Sequence, residues 1–205
     1  MARSKSSHQW MQEHFQDEYV KKAQAMGLRS RAVFKLMEIQ EKDRIIYPGI
    51  NIVDLGAAPG GWSEYARKLL AKSDKVVALD ILPMEPIDGV DFILGDFREH
   101  AVLDELFRVL DGGQIDLLLS DMAPNISGNK GMDQPRAIYL GELALDAAHT
   151  MLRKGGVFLI KMFQGEGFDD FHRQVKQHFN SVVIRKPKAS RATSNEVYIL
   201  AKGFK

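Results

Sequence analysis

The stretch Asn51–Trp62, N-I-V-D-L-G-A-A-P-G-G-W, constrains the fold more than any other part of the chain. A β-branched pair, Ile52 and Val53, runs into an acid, Asp54. Small residues, Pro59 and the pair Gly60-Gly61 follow, and a helical pattern opens near Ser63. A strand that ends in a glycine turn and opens a helix brings backbone N–H groups up against a ligand. Glycine permits the close approach, and the helix N-terminus carries partial positive charge. In an α/β protein such a turn lies at the carboxyl ends of the strands, where a nucleotide-like cofactor binds.

The rest of the chain supplies a body for that turn. Its 205 residues suffice for one well-buried domain, and 45% hydrophobic with 27% charged residues is ordinary for a soluble globular protein. No apolar run approaches the ~20 residues of a membrane span, so no membrane partner is expected. The start, M-A-R-S-K-S-S-H-Q-W, is basic and serine-rich without a secretory apolar core. It leaves a transit peptide open, although Glu13, Asp17 and Glu18 follow too soon for a typical one. There are no cysteines, hence no disulfide and no cysteine-ligated zinc. The six histidines show no H-E-x-x-H or similar spacing, and no metal is expected. Cytoplasm is the default location.

Residues 1–8 read as a flexible basic tail and about 9–47 as an N-terminal helical segment. There, Trp10, Met11, Phe15, Tyr19 and Ala23 recur at helical spacing, predicting a helix over about 9–26 that Gly27 stops. Ser30 then caps a second helix carrying Val33, Leu36 and Met37 as core positions. From about 48 to 205 strands and helices alternate. Strands are predicted at 75–80, 90–94, 115–121, 157–161, 181–185 and 196–201, and helices at about 101–110, from Asp133-Gln-Pro135 to about 153, and about 168–179. Repeated β-α units with buried strands imply an α/β, doubly wound, mainly parallel sheet. One domain spans 1–205.

Four of these strands end in or just before an acid: Asp54, Asp80, Asp96 and Asp121. Any one of them could as well cap a helix; together they line one edge around the glycine turn. Asp80 lies twenty residues beyond Gly60, where a nucleotide fold places a carboxylate against the ribose hydroxyls. Asp96 is positioned to accept from an adenine amino group. The turn lacks the third glycine of G-x-G-x-x-G and carries a rigid Pro59, which argues against a pyrophosphate cradle, and no G-x-x-x-x-G-K-[ST] occurs. A nucleoside cofactor without phosphates fits best: S-adenosylmethionine (SAM).

Net charge is only +1, but the distribution is uneven. Lys21, Lys22, Arg29, Arg31 and Lys35 fall in an acid-free stretch, and Arg185, Lys186, Lys188, Arg191, Lys202 and Lys205 are opposed by Glu196 alone. If the fold unites the ends, they form a basic face for an anionic partner; otherwise they are solvated surface. Residues 125–132, with I-S-G-N-K-G between two prolines, read as a mobile loop over the site or as a plain surface connection.

The motifs D-L-G-A-A-P-G-G-W (54–62), D-I-L-P-M (80–84), G-D-F (95–97), S-D-M-A-P-N (120–125), K-M-F-Q-G-E-G-F (161–168) and S-N-E-V-Y (194–198) resemble the FtsJ/RrmJ family. So does G-L-R-S-R-A-V-F-K-L (27–36). The resemblance extends from Trp10 onward and is strongest to the bacterial members acting on 23S rRNA. It implies a Rossmann-like SAM-dependent methyltransferase fold with seven strands, one antiparallel, behind N-terminal helices. It also implies methyl transfer to the ribose 2′-hydroxyl of a uridine in the A-loop of the large subunit, late in ribosome maturation. A catalytic tetrad is implied at Lys35, Asp121, Lys161 and Glu196, and a cofactor site at Gly60, Trp62, Asp80, Asp96 and Asp121.

Such a set suits ribose methylation. A 2′-hydroxyl must lose its proton as it attacks the sulfonium methyl in line, so a base and close positioning both help. Lys161 is assigned as proton acceptor, with Lys35 and Glu196 orienting it and Asp121 between cofactor and reacting centre. RNA phosphates are expected on Arg31, Lys21, Lys22, Arg185, Lys186, Lys188 and Arg191. The expected partner is 23S rRNA within the 50S subunit, and the expected state a monomer. Rival readings are a 2′-O-methyltransferase of tRNA or the mRNA cap, a weaker nicotinamide oxidoreductase, and a non-catalytic RNA-binding assembly factor.

Overall fold

Strands buried on both faces arise where the chain offers continuous apolar runs between helices. All of Ile52–Leu55 (β1) and Val76–Asp80 (β2) is buried. The computed structural model describes residues 17–124, 127–191 and 193–205. The remaining strands are Asp91–Leu94 (β3), Ile115–Ser120 (β4), Leu152–Phe163 (β5), Phe179–Arg185 (β6) and Glu196–Phe204 (β7). The helices are Glu18–Ala25 (α1), Val33–Asp43 (α2), Gly61–Leu69 (α3), His100–Val109 (α4), Lys130–Met151 (α5) and Phe168–His178 (α6).

The strand order is β3-β2-β1-β4-β5-β7-β6, and β7 runs antiparallel to both β5 and β6 while the other pairings are parallel. This is the doubly wound α/β sheet of seven strands with one reversed. The chain winds outward through β2 and β3, then returns to the other side of β1. The crevice between β1 and β4 is therefore a switch point, where such folds bind ligands.

Side-chain alternation sorts the two faces. Phe158, Ile160 and Met162 of β5 join Val197, Ile199 and Ala201 of β7 in one core under α4, α5 and α6. Leu159, Tyr198 and Leu200 join Leu36 and Ile39 of α2 and Trp62 and Ala66 of α3 in the other. Parity then places Lys161 and Glu196 on the α2/α3 face. A slip of one residue would bury Lys161 in the dry opposite core, and that cost pins the register.

Several boundaries differ from the sequence reading. The described part of the first helix begins at Glu18, where the Asp17 carboxylate accepts from Tyr19 N–H at 2.9 Å. The predicted helical positions 9–16 and tail 1–8 lie outside the described residues. Ser30 does not cap α2; a turn intervenes and Ala32 holds the cap position without a side-chain bond. Helix α5 starts before Asp133, because Asn129 caps it, accepting from Gly131 N–H at 3.1 Å. Asp133 folds back to accept from the N–H groups of Ser127 and Gly128, at 2.9 Å each. Of the predicted loop 125–132, residues 127–129 are thus tied down and 130–132 are helical, while 125 and 126 lie outside the described residues. Strand β5 runs through Gly155-Gly156, with its register against β4 shifting between Ile115 and Leu117.

Candidate active site

Parallel strands deliver their carboxyl ends to one edge, and the reversed β7 delivers its start to the same edge. The β1–α3 turn opens this edge. Gly56 and Gly60 have φ of +73° and +98°, in the left-handed region. A Cβ on Gly56 would lie 2.5 Å from Met122 Cγ, and one on Gly60 2.7 Å from Ile87 Cδ1. Only bare backbone fits here. The indole of Trp62 is buried and donates to the Ala32 carbonyl at 2.8 Å, so it walls the turn against α2.

Asp80 does more than await a ribose. One carboxylate oxygen accepts from Ala58 N–H and the other from Leu82 N–H, each at 2.8 Å, which ties the glycine turn to the loop after β2. Each oxygen keeps a lone pair for a further donor. Arg29 fastens the same two loops, donating to the carbonyls of Pro59, Glu85 and Pro86 at 3.3, 2.8 and 2.8 Å. The sequence reading took Arg29 only as part of a basic stretch, and no local spacing marks it as a staple. Asp96 accepts from Arg98, whose Nε lies 2.9 Å from both carboxylate oxygens. This bond holds the Asp96 carboxyl below its usual range, so an adenine amino group at Asp96 must share the carboxylate with Arg98.

Asp54 lies deepest, 1% exposed. The Ser63 hydroxyl donates to its Oδ2 at 2.7 Å, while Oδ1 has no hydrogen-bond partner. Burial, with the charges of Asp121 and Asp80 adding to it, pushes the carboxyl up to about 7 against the bond from Ser63.

On the other side of the switch point, four charged side chains come together as two ion pairs. Lys161 Nζ lies 3.1 Å from Asp121 Oδ1 and donates to the Asp121 carbonyl at 2.5 Å. Lys35 Nζ lies 2.7 Å from Glu196 Oε1. Their side chains are only 8–17% exposed. Charges this far from water persist only when paired, and two cations against two anions leave the cluster neutral.

Tyr198 lies between the pairs. Its hydroxyl donates to Asp121 Oδ1 at 2.7 Å, and its ring centroid is 5.8 Å from Lys35 Nζ. It is the registered partner of Lys161 across β5 and β7. The sequence reading assigned it nothing, although strand alternation from Glu196 puts it on the same face. Ser190, also unassigned, donates to Glu196 Oε1 at 2.7 Å.

The two basic stretches do meet. Ala23 and Phe34 pack on Ala189, and the Glu38 carboxylate accepts from Lys188 and Ala189 N–H at 2.7 and 2.9 Å. Several expected phosphate contacts are turned inward, however. Arg31 pairs with Asp17 at 2.7 Å and donates to the Ala189 carbonyl, and Arg191 lies 3.7 Å from the same Asp17. Arg185 grips Asp43 through two bonds of 2.8 and 2.7 Å. Lys186 donates to the carbonyls of Ser194 and Glu196 at 2.5 Å each. Lys21, Lys22 and Lys188 remain exposed, and so does Lys186 despite its two bonds. Among the described residues no three His, Asp or Glu side chains converge as a metal site.

A glycine turn at a switch point, beside a buried Lys-Asp-Lys-Glu cluster, is the arrangement of a doubly wound α/β fold with a ligand crevice at its carboxyl edge. The sequence pattern of the FtsJ-like methyltransferases matches residues 28–204, and the chain belongs to that family. Its fold is similar to the crystal structure of a Plasmodium falciparum protein provisionally described as a ribosomal RNA methyltransferase. The two share 30% identity at a TM-score of 0.76, over 86% of this chain and 98% of the other. Methyltransferases of this family take their methyl group from SAM.

Proposed function

We propose that this protein transfers the SAM methyl group to the ribose 2′-hydroxyl of a uridine in the 23S rRNA A-loop, within the large ribosomal subunit, as a late maturation step. The observation that carries the reading is the buried pair Lys161–Asp121 beside the glycine turn, faced by Lys35–Glu196. Lys161 Nζ donates to the Asp121 carbonyl and lies 3.1 Å from the Asp121 carboxylate, which holds it beside the place proposed for the substrate hydroxyl. In its neutral form the Lys161 amine would accept the hydroxyl proton as the ribose oxygen takes the methyl group, with the electron pair of the broken carbon–sulfur bond left on sulfur, chemistry that bound SAM would supply. The sulfonium is already cationic, so the leaving group needs no metal.

SAM fits the residues present. Gly60 and the wall at Trp62 suit the methionine end, the spare lone pairs of Asp80 suit two ribose hydroxyls, and Asp96 suits the adenine amino group. Asp121 borders both cofactor and hydroxyl. The bound cofactor supplies an activated methyl; Lys35 and Glu196 orient the acceptor. We place this single domain in the cytoplasm, as a monomer, with exposed Lys21, Lys22 and Lys188 meeting RNA phosphates.

The test is transfer of labelled methyl from SAM to 50S particles, free 23S rRNA, tRNA and capped mRNA in parallel, with the product nucleotide mapped. A 2′-O-methyluridine in the A-loop is expected. Label in tRNA or cap alone would move the substrate, and no transfer to any RNA would favour the non-catalytic assembly factor.

A further inference from the structure

We propose that Tyr198 is a positioning residue of the transfer reaction, whose hydroxyl shares the Asp121 carboxylate with Lys161 and so keeps Lys161 able to lose its proton. The inference rests on the functional reading above and extends it to a residue outside the tetrad.

Tyr198 is 0% exposed, yet its hydroxyl is not left unpaired among apolar neighbours. It donates to Asp121 Oδ1 at 2.7 Å, the oxygen that lies 3.1 Å from Lys161 Nζ. One anionic oxygen thus serves a neutral donor and a cation at once. The bond to the phenol draws on the charge that Lys161 would otherwise have to itself, and a weaker counter-charge favours the neutral amine. Burial pushes the phenol well above its ordinary range, with Asp121 and Glu196 adding to the effect. Tyr198 therefore stays a donor throughout the working pH range.

The geometry fixes the bond from several sides. Tyr198 pairs with Lys161 across the strands, and its ring is wedged against Trp62 at 5.7 Å between centroids. Lys35 Nζ stands 5.8 Å from the same ring. The phenol can swing away from Asp121 only by disturbing the core around α2 and α3. A tyrosine kept solely for packing would be replaceable by phenylalanine, which preserves ring, volume and cation contact.

Tyr198→Phe isolates the hydroxyl. We expect kcat near neutral pH to fall about 10-fold. The KM for RNA should hold, and the acid limb of the kcat–pH profile should move upward. An activity-independent readout uses ¹³C-labelled lysine: the Lys161 Cε resonance should titrate at higher pH in the variant than in the wild type. Tyr198→Leu, which also removes the ring, should lower thermal stability as well. Unchanged kcat, pH limb and Lys161 titration in a folded Tyr198→Phe protein would overturn the inference. So would a loss confined to stability or to the KM for RNA. If the wild type methylates no RNA, the functional reading fails on its own, and the lysine titration still decides whether the hydroxyl governs Lys161.

Discussion

The two halves of the carboxyl edge are built on different principles. The β1–β3 half is made of strands and the turns that directly follow them. Two of its acids accept from backbone N–H groups of those turns, Asp80 from Ala58 and Leu82 and Asp96 in part from Arg98. The β4–β5–β7 half is made of side chains that meet only across the fold, Lys35 on Glu196 and Lys161 on Asp121. The first half offers fixed backbone and lone pairs, which suits holding a ligand. The second holds buried, mutually neutralising charges, which suits moving a proton.

That contrast breaks most cleanly at Lys161. Replacing it with alanine should lower methyl transfer by about 1000-fold, in the range of a lost general base, while SAM binding measured by calorimetry persists. Lys161→Arg should fail equally, because a guanidinium does not give up its proton. Near-normal turnover by either variant would remove the assignment. The mirror experiment is Asp80→Ala, which should weaken SAM binding roughly 10–100-fold through lost charge-assisted bonds and a loosened turn. If SAM affinity is unchanged, the carboxylate is a loop staple and nothing more.

Gly60→Ala sharpens the first half further. A side chain at φ +98°, with its Cβ 2.7 Å from Ile87 Cδ1, costs at least about 1–2 kcal/mol of strain. Thermal unfolding should come earlier by several degrees, at roughly 2–4 °C per kcal/mol for a chain of this size, and SAM affinity should drop with it. A stable variant with intact affinity would mean the turn relaxes freely.

Asp54 tests whether the deep acid belongs to either half. Folding raises its carboxyl from 3.8 to about 7, so the folded chain keeps a proton that the unfolded chain has lost. Its contribution is full below the unfolded value. It declines as pH rises toward about 7, by on the order of 1.4 kcal/mol per pH unit, and then levels off. Relative to Asp54→Asn, wild-type stability in urea should fall across this window. Parallel curves would show an ionised carboxylate with a partner after all.

The smallest effect is expected at Arg185, read from sequence as a phosphate contact. Its pairing with Asp43 holds that carboxyl below the usual range. Arg185→Ala should cost about 1 kcal/mol of stability, a value typical of partly exposed pairs, and leave RNA affinity and its salt dependence unchanged. A shallower salt slope would return Arg185 to the RNA face.

Much of this molecule was legible before any coordinate. Apolar runs and helical spacing mark every strand and helix among the described residues, because backbone period alone selects which side chains can share a face. The glycine turn and strand-end acids likewise follow from local chemistry. Three tetrad members stand at strand termini in the sequence; that they act with Lys35 came only from the family resemblance. Tertiary structure decided the rest. It set Tyr198 between the ion pairs, turned Arg31 and Arg185 inward onto Asp17 and Asp43, made a staple of Arg29, and left Asp54 with one bare oxygen. The physical reason is that the partner of a charge is chosen by desolvation and sheet order. Both emerge only when segments far apart in the chain are packed together.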